Sequence, residues 1–161
     1  MSQILHTKND FLVGVISDTH GLLHPAAVEA FKGADLIIHA GDVGKPEIIK
    51  DLQAAAPVEA VKGNMDMDDW AHKLPETRIV KLGRVLLYVI HDVYKIDIKP
   101  SKAKIGAVIH GHTHKPSSIE DQNGVLFLNP GSATHPRFNS PASVALVHVK
   151  GKSLTSQFIE F

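Results

Sequence analysis

The sequence predicts an α/β fold in one domain over residues 1–161, with strands forming a mixed sheet or two packed sheets and helices supplied mainly by the amino-terminal half. Three observations predict it. Apolar runs of strand length alternate with short helical stretches at the start, hairpin signals replace them later, and polar residues collect where strands stop. With 161 residues the chain is about one domain by length. A domain of that size buries roughly 70% of its unfolded surface and needs no metal or disulfide merely to fold.

FLVGVI (11–16) and DLIIHA (35–40) have the length and near-continuous apolarity of buried strands, and VEAVK (58–62) is a third. Between them, PAAVEAFK opens on Pro25 and stops at Gly33, while PEIIKDLQAAA opens on Pro46 and stops at Pro57. Strands joined through helices in this way are parallel. TRIVKL and RVLLYVI then meet at Gly83, SSIED and VLFLN flank Asn123-Gly124, and SVALVHV and SLTSQFIEF flank Lys150-Gly151. All three pairs read as hairpins. The apolar carboxyl-terminal strand SLTSQFIEF suits a sheet edge, where it would pair copies into a homo-oligomer.

Composition excludes several classes. Seventeen basic and seventeen acidic side chains leave no net charge, which gives no support to an extended nucleic-acid surface or a membrane surface. Without cysteine, a metal must be held by histidine, carboxylate or amide. MSQILHTKND lacks a signal pattern and runs such as VLLYVI are too short to span a bilayer, so a cytoplasmic protein is expected.

The informative residues sit at strand ends. FLVGVI runs into SDTHG with Asp18 and His20, DLIIHA into Gly41-Asp42, VEAVK into Gly63-Asn64, RVLLYVI into His91, and IGAVIH into GHTH with His112 and His114. Ligands of open α/β sheets bind beyond the carboxyl ends of strands, so one site can use all five ends. In VIHGHTHKP, residues two apart leave a strand on one face, which would let imidazoles converge on a metal. Seven oxygen and nitrogen donors exceed one tetrahedral ion. They suit two ions about 3.5–4 Å apart sharing a carboxylate, and such a site attracts phosphate.

Bland readings stand beside this one. His6, His24, His72 and His148 read as packed or surface residues, and His39 and His110 as buried supports rather than ligands. Singly, Asp18 before Pro25 and Asp42 before Pro46 are accounted for as caps or turns, and Asn129-Pro130-Gly131 as a loop. The joint pattern at consecutive strand ends is what these readings leave unexplained.

The ordered set SDTHG, GD, GN, a histidine after a strand, GHTH and NPGS resembles the calcineurin-like metallophosphoesterase superfamily, in its small single-domain bacterial and archaeal phosphodiesterase branch, from Leu12 to Arg137. The resemblance implies a four-layer αββα sandwich of two mixed β-sheets flanked by helices. It implies one ion on Asp18, His20, Asp42 and His114, and a second on Asp42, Asn64, His91 and His112, with Asp42 bridging and His110 in support. The ions would be divalent, manganese foremost, with iron, zinc, nickel or cobalt accepted by the same donors.

The implied chemistry is hydrolysis of a small phosphate ester, a phosphodiester foremost, by a metal-bound hydroxide. Asn64 would also orient the phosphoryl group, Arg137 would reach it, and Asp66 would accept from a ligand histidine. Two positions depart from the family. Met65 stands where larger members carry an acid histidine, and a thioether donates no proton. Asp92 follows His91 where the family reads His-Gly-His, placing an extra carboxylate beside the second ion. The rival reading is a non-catalytic protein-interaction scaffold of the same fold, similar to the retromer subunit. A metal store or sensor is the third.

Overall fold

A computed structural model of the chain describes residues 8–161; His6 and most of the amino-terminal stretch read for a signal lie outside the described residues. The strand, helix, strand, helix, strand series is β1 (Asp10–Ile16), α1 (Pro25–Ala30), β2 (Leu36–His39), α2 (Pro46–Leu52) and β3 (Val58–Ala60). Then come β4 (Thr77–Leu82), β5 (Val85–Ile90), β6 (Ile105–Ile109), β7 (Ser117–Glu120), β8 (Leu126–Asn129), β9 (Ser143–Lys150) and β10 (Ser153–Glu160). Helix α2 is shorter than PEIIKDLQAAA suggests. Past Leu52 the chain tightens into i to i+3 bonds, Ala54 N–H to Asp51 and Ala55 N–H to Leu52, so the last residues form turns.

Two five-stranded sheets result, ordered β10-β9-β1-β2-β3 and β4-β5-β6-β8-β7. Both are mixed. β1, β2 and β3 run parallel while β9 and β10 are antiparallel to their neighbours; β5, β6 and β8 run parallel with antiparallel β4 and β7 outside. The three expected hairpins are present, and β10 is an edge strand as its sequence suggests.

Alternation decides the layers. Phe11, Val13 and Val15 of β1 point inward with Leu36 and Ile38, against Val85, Leu87 and Val89 of β5 and Ala107 and Ile109 of β6, making one core between the sheets. Ile16 and Ile37 face outward onto Ala27 of α1, Phe31 just past its end, and Ile48 and Leu52 of α2. On the far side, Tyr88, Ile90, Ile105 and Val108 are covered by Val93, Ile96 and Ile98, where the chain forms the single helical turn Val93–Lys95. This is the α/β sandwich of two mixed sheets, with its fourth layer reduced to turns. Among the described residues no helix is long and apolar enough to cross a membrane.

Candidate metal centre

The seven donors come from the loops after β1, β2, β3, β5 and β6, and their ligand atoms form an unbroken path of short distances. His114 Nε2 lies 3.2 Å from Asp18 Oδ1 and 3.3 Å from His20 Nε2. His20 Nε2 lies 3.8 Å from Asp42 Oδ2, which lies 3.4 Å from His91 Nε2. His91 Nε2 is then 3.0 Å from Asn64 Oδ1, and that oxygen is 3.1 Å from His112 Nδ1. One end holds Asp18, His20 and His114; the other holds Asn64, His91 and His112; Asp42 Oδ2 lies between. Asp18 Oδ1 also spans the centre, at 3.9 Å from His91 Nε2, although it leans toward His114.

Each carboxylate is split between two tasks. Asp18 Oδ2 accepts from the Ser17 hydroxyl (2.7 Å) and the His112 backbone N–H (3.0 Å), and Asp42 Oδ1 accepts from the Met65 N–H (2.9 Å). The other oxygens turn into the cluster. Asp18 Oδ1 is buried there with no hydrogen-bond partner, a costly arrangement unless a cation meets it.

Two of the histidines are oriented by backbone carbonyls. His91 Nδ1–H donates to Ala40 (2.7 Å) and His114 Nδ1–H donates to His135 (2.6 Å), because a carbonyl oxygen only accepts. This leaves Nε2 of each ring as a lone pair aimed at carboxylate and amide oxygens. Lone pairs facing one another need a positive charge between them. Two hard-to-intermediate divalent ions fit that oxygen and imidazole donor set.

The titration behaviour of the metal-free chain agrees. Burial works against charge on His91, yet Asp42, Asp18 and the Ala40 carbonyl raise it above its ordinary value. Contact with Asp18 raises His114 as well. Burial pushes both carboxyls up, but the imidazoles outweigh it and hold Asp18 and Asp42 below the usual carboxylate range. His20, with less compensation, is lowered by burial. The carboxylates that raise His91 and His114 are the same ones that would favour a cation between them.

His39 and His110 differ in kind, as the sequence suggested. Burial lowers each to about 4, so both are neutral. His39 Nε2–H donates to Thr19 Oγ1, whose own hydroxyl donates to Val43, and Nδ1 accepts from the Gly41 N–H. Neither nitrogen of His39 is left for a metal, whereas His110 Nδ1 is buried without a hydrogen-bond partner. Asp18 and Asp42 are not helix caps: His24 caps α1 through its side chain, and Lys45 occupies the cap of α2.

Two expectations need correction. Asp66 accepts from no histidine; it is buried and receives the N–H groups of Val43 (3.1 Å), Gly44 (2.9 Å) and Gly63 (2.9 Å), tying the loop of Asp42 to the loop of Asn64. Nor does strand alternation bring His112 and His114 together. β6 ends at Ile109, and both residues take left-handed backbone, φ 71° and 61°. Asp18, His20 and Asp42 do the same at φ 55°, 47° and 54°. Five non-glycine residues in that region at one site cost of order 1–3 kcal/mol each, which the surrounding bonds must offset.

The supporting residues were the least visible in sequence. Buried Asn129 donates to the Gly111 carbonyl (2.9 Å) and to Thr113 Oγ1 (3.0 Å), fixing the GHTH loop, and Ser132 Oγ donates to the Asp18 carbonyl (2.9 Å). NPGS was the available signal. Close approach explains two glycines. A Cβ on Gly63 would lie 2.1 Å from Asp42 N and Oδ1, and one on Gly111 would lie 2.0 Å from Ser17 Oγ.

Two clefts adjoin the cluster. One of about 430 Å³ lies beside Asn64 and His91, lined also by Lys62, Met67, Asp92 and Lys95. The other, about 480 Å³, is lined by His20, His114, His135, Pro136 and Arg137, so Arg137 borders the centre as its motif suggested.

Residues 11–152 match the calcineurin-like phosphoesterase superfamily domain. A probable metallophosphoesterase of Methanothermobacter thermautotrophicus is 36% identical over 160 residues, covering 92% of this chain and 91% of that protein. The phosphodiesterase YfcE of Escherichia coli K12 is 30% identical, covering 81% and 84%. Among solved structures, wild-type Vps29 of Entamoeba histolytica complexed with zinc superposes with a TM-score of 0.72 at 24% identity, over 92% of this chain and 98% of that one; this likeness concerns the fold alone.

Proposed function

The chain belongs to the calcineurin-like phosphoesterase superfamily, and on that premise we propose that it is a metal-dependent phosphodiesterase built around two divalent cations and acting on a small phosphodiester. Asp18, His20, Asp42 and His114 would hold one ion, and Asp42, Asn64, His91 and His112 the other. When bound, the ions polarise phosphoryl oxygens and lower the pKa of a bound water toward about 7. Manganese is the first ion to try. The observation that carries this reading is Asp18 Oδ1, buried without a hydrogen-bond partner while imidazole nitrogens face it.

The remaining work falls to the chain's own residues. Asn64 turns Oδ1 into the cluster, which leaves its Nδ2 to donate to a phosphoryl oxygen. Arg137 brings a planar fork to the same phosphate from the adjoining cleft. Met65, exposed beside Asn64, donates no proton, so the leaving alcohol must depart largely unaided and one of low pKa is favoured. The likeness to YfcE supports a diester over a monoester.

The test is direct. Purified protein with manganese is incubated with p-nitrophenyl phosphate and with bis-p-nitrophenyl phosphate. Faster release from the diester is expected, and a clear preference for the monoester would overturn the substrate assignment. The scaffold reading finds its support in the Vps29 likeness, but an assembly role requires no buried, unpartnered carboxylate oxygen.

A further inference from the structure

The four histidines of the cluster are not held alike. His91 and His114 each donate Nδ1–H to a backbone carbonyl, which fixes ring and tautomer together. His112 has no such carbonyl bond among the described residues, and its side chain is 40% exposed, against 5% for His91 and 7% for His114. Its Nδ1 faces Asn64 Oδ1, so the ligating atom is Nδ1, the reverse of His91 and His114. The opposite nitrogen, Nε2, points at Asp92 Oδ2, 3.9 Å away.

Asp92 is itself fixed for this. Its Oδ1 accepts from the Tyr94 N–H at 3.1 Å, capping the turn Val93–Lys95, and its Oδ2 remains directed at His112. From these positions we propose that Asp92 is a positioning residue for the second ion: its carboxylate takes the Nε2–H of His112, holds the ring with Nδ1 turned toward Asn64 and His91, and thereby sets the affinity of that end of the centre. A cation on Nδ1 makes Nε2–H a stronger donor, which closes the gap to the carboxylate, so orientation and affinity reinforce each other. Carboxylate, imidazole and metal in series is a recurrent arrangement, and losing the carboxylate costs about 10–100-fold in metal affinity.

The inference rests on the two-ion reading above, and the experiment separates the two. Metal-free protein is titrated with manganese by calorimetry, comparing wild type, Asp92→Ser and Asp92→Asn, with thermal unfolding of each metal-free form as the folding control. Serine keeps an oxygen to cap Tyr94 but does not extend to His112; asparagine keeps an acceptor at the same reach without the charge. Two ions on wild type are expected, with one of them loosened about 10–100-fold in Asp92→Ser and by less in Asp92→Asn, the other unchanged. If Asp92→Ser binds both ions as wild type does, Asp92 is only a cap and the inference falls while the two-ion reading stands. If wild type binds fewer than two ions, both fall. Should Asp92→Ser fail to fold, Asp92→Asn decides, since a cap alone predicts wild-type binding for it.

Discussion

The interior between the sheets and the crown of loops above it obey opposite rules. Between the sheets, Val13, Val15, Leu87, Ala107 and Ile109 are fully buried, apolar and extended, and each makes contacts that any aliphatic side chain of similar size would make. In the crown, Asp18, Asp42, His91 and His114 are nearly as buried, yet polar, and three of the four sit in left-handed backbone. The first region stabilises the fold. The second draws on that stability to hold donors where donors repel one another, which is the usual relation between a strained site and its scaffold.

That contrast can be broken from the crown side first. Asp42→Ala removes the oxygen shared by both ends and should abolish diester hydrolysis and lower manganese content from about two per chain to one or none, measured by metal analysis after gel filtration. Retention of two ions would remove Asp42 from the centre. From the core side, Leu87→Ala should cost about 2–5 kcal/mol in urea unfolding while leaving the metal content of the folded protein unchanged. A loss of metal together with stability would show the two regions to be one cooperative unit. The smallest effect is the sharpest. His20→Gly relieves a non-glycine residue at φ 47° whose ring makes no backbone bond among the described residues, so the metal-free protein should gain roughly 1 kcal/mol as the bound ion and activity are lost. A destabilised metal-free variant would mean that His20 is part of the scaffold.

The same contrast explains what could be read from the chain. The strands were legible because their apolar runs and turn residues state period and length locally, and the candidate donors were legible because each falls just past such a run. The geometry that unites them was not. His112 and His114 look like an alternating pair on one strand face, yet each takes left-handed backbone in the loop after β6 and they turn to opposite ends of the cluster. Asp66 looks like a partner for histidine and serves three backbone N–H groups on two loops. Ser132 donates to the carbonyl of Asp18, 114 residues earlier, and nothing near either residue announces it.

The sequence by itself determined the parallel β1, β2, β3 series, the three hairpins, the absence of thiolate ligands and the seven candidate donors at strand ends, since these depend on residue type and on spacing within a few positions. Only the tertiary structure decided which nitrogen of each histidine is free, which carboxylate oxygen is left without a partner, and that Asp92 faces His112. Those follow from backbone carbonyls and N–H groups arriving from other strands, and a backbone group carries no sequence signature of where it will be needed.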